Sequence, residues 1–143
     1  MNGKFVMSED AQREQLEWGT LGWLCHPPNT GADDLTILEV EIAPGGGHDF
    51  HRHPNQEEVI YVVSGEVEQW LEQESRTLRP GDSLFIDRNV VHATFNVSDG
   101  DARLLAILGP CDGESGYVVQ EVGEEEPWRG LRTTGATEDG PSV

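Results

Sequence analysis

The sequence predicts an all-β fold, a barrel or sandwich of short antiparallel strands, on three observations. Short runs rich in Val, Ile, Leu and Phe recur between Gly, Pro, Asn and Asp punctuation, at residues 36–42, 49–53, 58–63, 66–72, 83–86, 91–96, 103–108 and 117–122. Many short strands at close spacing are the pattern of a sandwich or barrel. The connectors carry turn chemistry. Ala43-Pro44-Gly45-Gly46-Gly47 and Arg79-Pro80-Gly81-Asp82 pair a Pro that presets φ with Gly that accepts positive φ, and Ser64-Gly65-Glu66 reads as a tight hairpin. Helical signals are scarce: Ser8 is placed to cap one short helix through Ala11 to Leu16, with Glu9 and Asp10 in its first turn.

Taken in order, residues 1–34 form an N-terminal arm and an entering strand at 18–24 that carries Trp18 and Trp23. Residues 35–125 hold the dense apolar runs and form the barrel. Residues 126–143 are a C-terminal extension, Thr/Gly/Ser-rich and expected to be disordered from about residue 132. The run at 66–72 alternates. Val67, Gln69 and Leu71 share the face that should point inward, and Glu66, Glu68, Trp70 and Glu72 share the other. An outward Trp70 covers a neighbouring segment or a subunit interface, or lies over the chain's own N-terminal arm.

Charge sets the outer limits. The chain has 27 acidic and 9 basic residues, a formal charge of −18. Nucleic acid is bound by exchanging counterions for Lys and Arg, so it is excluded as a partner. Docking on an anionic membrane surface is excluded for the same reason. No apolar run reaches the roughly 18–20 residues of a span, and residues 1–10 lack the basic and apolar parts of a secretory signal. Cys25 and Cys111 are too few for a disulfide scaffold or a four-Cys zinc site, and read as buried or half-buried thiols. A soluble, cytoplasmic single domain is expected, and the acidic excess would suit a high-salt host.

Four of the five histidines lie in the apolar region: His48, His51, His53 and His92. On a strand His51 and His53 project to one face, Glu57 and Glu58 follow, and His92 lies on a later apolar run. Imidazoles with a carboxylate suit Zn, Cu, Fe and Ni, with neutral His and ionised Glu. Parity does not choose between Glu57 and Glu58. It does place His48 on the opposite face from His51, and it sets Asp49 beside His51 and His53 as a side chain able to orient an imidazole. His26, beside Cys25, has no partner in the pattern.

Residues 45–65, read as Gly45-x5-His51-x-His53-x4-Glu58-x6-Gly65, resemble the first motif of the cupin superfamily. Residues 81–96, Gly81-x5-Asp87-x-Asn89-x2-His92-x3-Asn96, resemble the second. The resemblance implies a single cupin-type β-barrel (a double-stranded β-helix or jelly roll). It implies metal ligands at His51, His53, Glu58 and His92, with Glu57 facing outward. The ion implied is one divalent transition metal per chain: Fe, Mn, Ni or Zn. Two positions depart from the family, Asp87 for Pro and Asn89 for Gly. Asn tolerates positive φ, so the turn is expected to survive.

The same resemblance implies dioxygenase, isomerase, lyase or decarboxylase chemistry on a small oxygen-rich molecule, with Gln69 and Thr94 as candidate substrate contacts. The alternative is a barrel that binds or senses a small molecule without converting it. A homodimer is implied, consistent with Trp70 beside an arm bearing Trp18 and Trp23. No Gly-x-Ser-x-Gly nucleophile and no phosphate-cradling Gly loop with Lys is present.

Overall fold

The computed structural model describes residues 2–132. Among these residues, eleven strands form two antiparallel sheets packed face to face. They are β1 (Gln12–Gln15), β2 (Thr20–Cys25), β3 (Thr36–Ile42), β4 (Gly47–Arg52), β5 (Glu57–Ser64), β6 (Val67–Leu71), β7 (Glu74–Leu78), β8 (Ser83–Ile86), β9 (His92–Phe95), β10 (Ala102–Gly109) and β11 (Gln120–Glu121). The first sheet runs β1-β2-β3-β10-β5-β8 and the second β11-β4-β9-β6-β7. The four-residue helix α1 (Pro27–Thr30) follows β2. Among the described residues, no helix is long and apolar enough to cross a membrane.

The central strands form because one face of each is apolar. In β3 and β10, Leu38, Val40, Ile42, Leu104 and Leu108 are buried, and they meet Ile60, Val62, Val67 and Ile86 in the core between the sheets. The expected helix at 8–16 is absent. A single 3-10 turn (Ser8–Asp10) leads into β1, which pairs with β2 from Gln12 opposite Trp23 to Gln15 opposite Thr20. The segment Gln-Arg-Glu-Gln has no apolar stripe to bury as a helix, and β2 offers its backbone groups a ladder. Strand β7 also escaped expectation: it is polar, exposed and at a sheet edge. Its hairpin with β6 closes at Glu72, which turns at φ 54° instead of extending β6. The expected strand at 117–122 is only the two-residue β11.

The outer face of the second sheet carries a small core of its own. Phe50, Trp70, Val91, Ala93 and Val122 pack there beneath Trp128 and Leu131. Trp70 therefore points away from the barrel interior, as alternation requires, but it is 8% exposed and covered by the chain's own C-terminal segment rather than by its N-terminal arm. Its indole donates to Glu68, which also accepts from Arg132, while the Arg132 guanidinium lies 3.8 Å over the Phe95 ring. The expected disorder from about residue 132 falls on residues outside those described.

Candidate metal centre

Strands β4, β5 and β9 bring four side chains to one buried place. His51, His53, Glu58 and His92 are each no more than 6% exposed. Ligand atoms of His51, His53 and His92 lie within 4.8 Å of one another. Glu58 Oε1 lies 3.2 Å from His53 Nε2 and 3.0 Å from His92 Nε2. Glu57, its neighbour on β5, is exposed and pairs with Arg88 across 3.3 Å.

The outward-turned nitrogen of each ring fixes its tautomer. Nδ1 of His51 lies 2.7 Å from the Asp49 carbonyl, that of His53 2.8 Å from the Val118 carbonyl, and that of His92 3.0 Å from the Val90 carbonyl. A carbonyl oxygen only accepts, so each Nδ1 carries the proton and each Nε2 presents a lone pair inward. Glu58 Oε1 and His92 Nε2 are buried without a hydrogen-bond partner despite their closeness, because they are not aligned for one. Two inward-facing polar atoms buried without a partner are a costly arrangement unless a cation lies between. The donor set fits a divalent transition ion.

Electrostatics follow from burial and crowding. Burial, and then the neighbouring His92, His48 and His53, hold His51 well below its ordinary value, so it is neutral. Burial would raise Glu58, but the charges of His92 and His53 outweigh it and bring the carboxyl down to about 2. Burial would lower His53, but the adjoining Glu58 outweighs it and raises the imidazole above 6.5.

The turn between β8 and β9 ties the two motifs together. Asn89 sits at φ 66°, as its Gly-like role requires, and its backbone N–H donates to the His53 carbonyl at 2.9 Å. Val90 in the same turn supplies the acceptor for His92.

His48 departs from its expected orientation. Gly47 and His48 pair with Phe95 and Thr94, His51 pairs with His92, and the register shifts between. Asp49 and Phe50 thus oppose Ala93 alone, a bulge that turns His48 to the same side as His51. The His48 ring stacks on His51 with centroids 3.6 Å apart, and on Trp18 at 4.7 Å, while its Nε2 lies 3.0 Å from Glu121 Oε2. The bulge also removes Asp49 from its expected part. The Asp49 side chain is exposed and caps the Phe50 N–H, and only its backbone carbonyl holds His51.

A cavity of about 50 Å³, open to solvent at one side, lies against the cluster. Leu21, Leu38, Ile60, Leu104 and Leu108 form its apolar wall, and Trp18, His48, Thr94 and Tyr117 also line it. No Lys or Arg does. Thr94 donates to Gln69 Oε1 at 2.6 Å, and Gln69 is not part of the lining, so the two polar groups satisfy each other within the barrel. Burial, followed by the charges of Glu14, Glu58 and Glu121, pushes the Tyr117 phenol up to about 12.

Gln56 is a residue that sequence reasoning missed. It is 1% exposed, and its Nε2 donates to the Pro110 and Gly116 carbonyls while its Oε1 accepts from the Val118 N–H. It thereby fixes the loop that holds His53. His26 stands apart, stacked on Trp23 and bonded through Nδ1 to the Ser115 carbonyl.

Residues 38–108 match the family model described as "Cupin domain". The chain is 32% identical over 107 residues to "Protein SchB" of Streptomyces halstedii, covering 75% of this chain and 78% of that protein. It is 31% identical over 110 residues to "Polyketide synthase CurC" of Streptomyces cyaneus, covering 77% and 71%. The solved polyketide cyclase RemF from Streptomyces resistomycificus superposes with a TM-score of 0.71 at 26% identity, covering 90% of this chain and 92% of that one.

Proposed function

The chain belongs to the cupin family, and from that premise we propose that it is a metal-dependent enzyme acting on a small organic molecule with several oxygens on an apolar body. His51, His53, His92 and Glu58 would hold one divalent ion: Fe, Mn, Ni or Zn. The observation that carries this reading is the buried convergence of His51, His53 and His92 with Glu58, in which Glu58 Oε1 and His92 Nε2 are left without a hydrogen-bond partner. When bound, such an ion supplies Lewis acidity, polarising a keto, hydroxyl or carboxylate oxygen of the ligand.

The chain's own residues narrow the ligand. The apolar wall excludes water and accepts a ring or alkyl body, with the oxygen-bearing edge turned toward the cluster. The lack of Lys and Arg in the lining disfavours a multiply charged anion such as a dicarboxylate. Tyr117, held protonated, offers a hydrogen-bond donor on the wall. Two relatives carry names from polyketide chemistry, and poly-β-carbonyl chains or the phenols they close to combine enolisable oxygens with an apolar body. Enolisation followed by ring closure or isomerisation is the reaction class this favours. A dioxygenase reaction on a phenol would use the same four side chains, and so would a barrel that only binds.

Elemental analysis tests the centre. Close to one metal ion per chain is expected, and joint His51→Ala and His92→Ala substitution strips it. A protein that takes up no metal after loading sinks the proposal. With metal present, 1,3-diketones, phenols and sugar acids are tested with oxygen uptake and product analysis. Conversion without oxygen supports enolisation chemistry, oxygen uptake supports a dioxygenase, and tight binding without conversion supports the binding barrel.

A further inference from the structure

At about 50 Å³ the metal cavity holds a few water molecules, whereas a cavity that takes a benzene ring measures roughly 150 Å³. A chelating ligand with an apolar body needs more room than that. A trough of about 420 Å³ lies beside the cavity, between the β1–β2 turn and the turn that joins β3 to β4. Its volume is within the roughly 300–1,000 Å³ of ligand pockets. Glu17, Thr20, Glu41, Pro44, Gly46 and Asp101 line the trough, and among the described residues no Lys or Arg does.

Trp18 and Ile42 line both the cavity and the trough, so they form the partition between them. Ile42 is fixed: it is 1% exposed in the core, and on β3 it pairs with Ala102. Trp18 is half-buried and lies outside both strands, on a turn closed by the Leu16 N–H donating to the Gly19 carbonyl at 2.8 Å. The backbone of that turn is seated. A Cβ on Gly19 would strike the Glu41 carbonyl, and one on Gly46 would strike the Trp18 carbonyl. The indole is the part left to move. It rests against the edge of the core and stacks on His48 with centroids 4.7 Å apart.

We propose that Trp18 gates a ligand subsite: its indole swings off His48 as a ligand enters, and the trough receives the part of the ligand that extends away from the metal. The motion required is a change of staggered χ well with the backbone in place. Resting on the metal-dependent reading of the site, the gate also narrows the ligand. Glu41 is matched by Arg103 at 2.8 Å, and Glu17 and Asp101 add carboxylates that accept hydrogen bonds and attract positive charge. A hydroxyl or amine group suits such a trough, and a carboxylate or phosphate does not. The ligand class is a metal-chelating head on a ring, joined to an arm that ends in hydroxyl or amine.

Catechols with three different arms test the subsite on the full chain loaded with Co(II), whose visible absorbance reports binding. The arms are hydroxyethyl, aminoethyl and carboxyethyl on the same ring. The hydroxyl and amine arms should bind at least tenfold tighter than the carboxyl arm. Glu17→Lys with Asp101→Lys should shrink that ratio at least tenfold and leave plain catechol within threefold of wild type. Both side chains are exposed, so the fold tolerates the change. Reversing two exposed acids outside the trough, Glu74→Lys with Glu114→Lys, should leave the ratio within threefold.

Trp18→Ala tests the gate, and should speed association of the armed catechols at least tenfold in stopped flow. If that variant misfolds, Trp18→Leu takes its place, since it keeps an apolar side chain on the core and lacks the indole. Arm ratios that ignore Glu17 and Asp101, or that answer equally to Glu74 and Glu114, overturn the subsite. Wild-type association rates without the indole overturn the gate. A chain that takes up no Co(II) overturns the metal centre and the gate with it. A chain that binds Co(II) and plain catechol but fails the arm tests overturns the subsite alone.

Discussion

His48 lies flat against His51, their ring planes 7° from parallel, although they stand three positions apart along one strand. The bulge in β4 makes this possible, and Trp18 closes the stack from the other side. The stack limits rotation of the His51 ring, with the Asp49 carbonyl fixing its proton. His48→Ala should therefore keep wild-type metal stoichiometry while weakening affinity about tenfold, near the low end for groups that orient a ligand. Chelator competition measures it. Complete loss of metal would instead make His48 a ligand, and unchanged affinity would leave the stack without a positioning role.

Gln56 and Val118 give a second test. Gln56→Leu leaves the Pro110 carbonyl and the Val118 N–H without their partners, and frees the loop whose Val118 carbonyl holds His53. Unsatisfied buried groups predict a loss of about 1–3 kcal/mol in urea unfolding of the metal-free protein. Metal affinity should fall along with stability. An intact affinity in a destabilised variant would separate the loop from the centre.

How much of this was legible beforehand differs by element. Strands β3, β5, β9 and β10 were legible because each buries one apolar face, and His51, His53, Glu58 and His92 were legible from motif spacing. Strands β1 and β7 were not, because polar edge strands owe their form to backbone pairing with a neighbour, which leaves no apolar alternation to read. His48 was misplaced because a bulge is a property of two strands, and parity counted along one cannot reveal it. Gln56 and Val118 were invisible for a related reason. The carbonyl that fixes His53 lies 65 residues away, and only the folded topology brings it near.

The metal-free protein should lose stability in acid through its own centre. Glu58 is depressed from 4.5 to about 2 in the folded state, so its contribution is in place above 4.5 and is lost as pH falls toward 2. His51 is held well below 6.5, so the unfolded chain takes up a proton that the folded centre refuses, and stability falls further as pH drops below 6.5. His53 is raised above 6.5 and works the other way: its contribution is complete below 6.5 and is lost as pH rises through the folded value. The thermal unfolding midpoint of chelator-treated protein should therefore fall steeply from pH 4.5 toward 3, where Glu58 and His51 act together, and Glu58→Gln should make that fall shallower. Metal affinity should rise with pH as the imidazoles give up their protons. An acid limb unchanged by Glu58→Gln would contradict the pairing of Glu58 with the histidines.

The C-terminal cover should matter to stability and little to the metal. Trp128 is half-buried over Phe50, Trp70 and Val122, so Trp128→Ala should destabilise by about 2 kcal/mol, less than the 3–5 of a core Trp. Glu68 fastens the same segment through Arg132. Partial burial would raise Glu68, but hydrogen bonds from Arg132 and Trp70 outweigh it and hold the carboxyl below 4.5. Its contribution is present above 4.5 and is lost as pH falls through the lower folded value. Glu68→Gln should therefore be less stable than wild type near pH 7, with the gap closing in acid. Urea unfolding at the two pH values, followed by tryptophan emission, tests both variants. Metal content should stay at the wild-type level in each, because the cover lies on the outer face of the second sheet and the His cluster on the inner one.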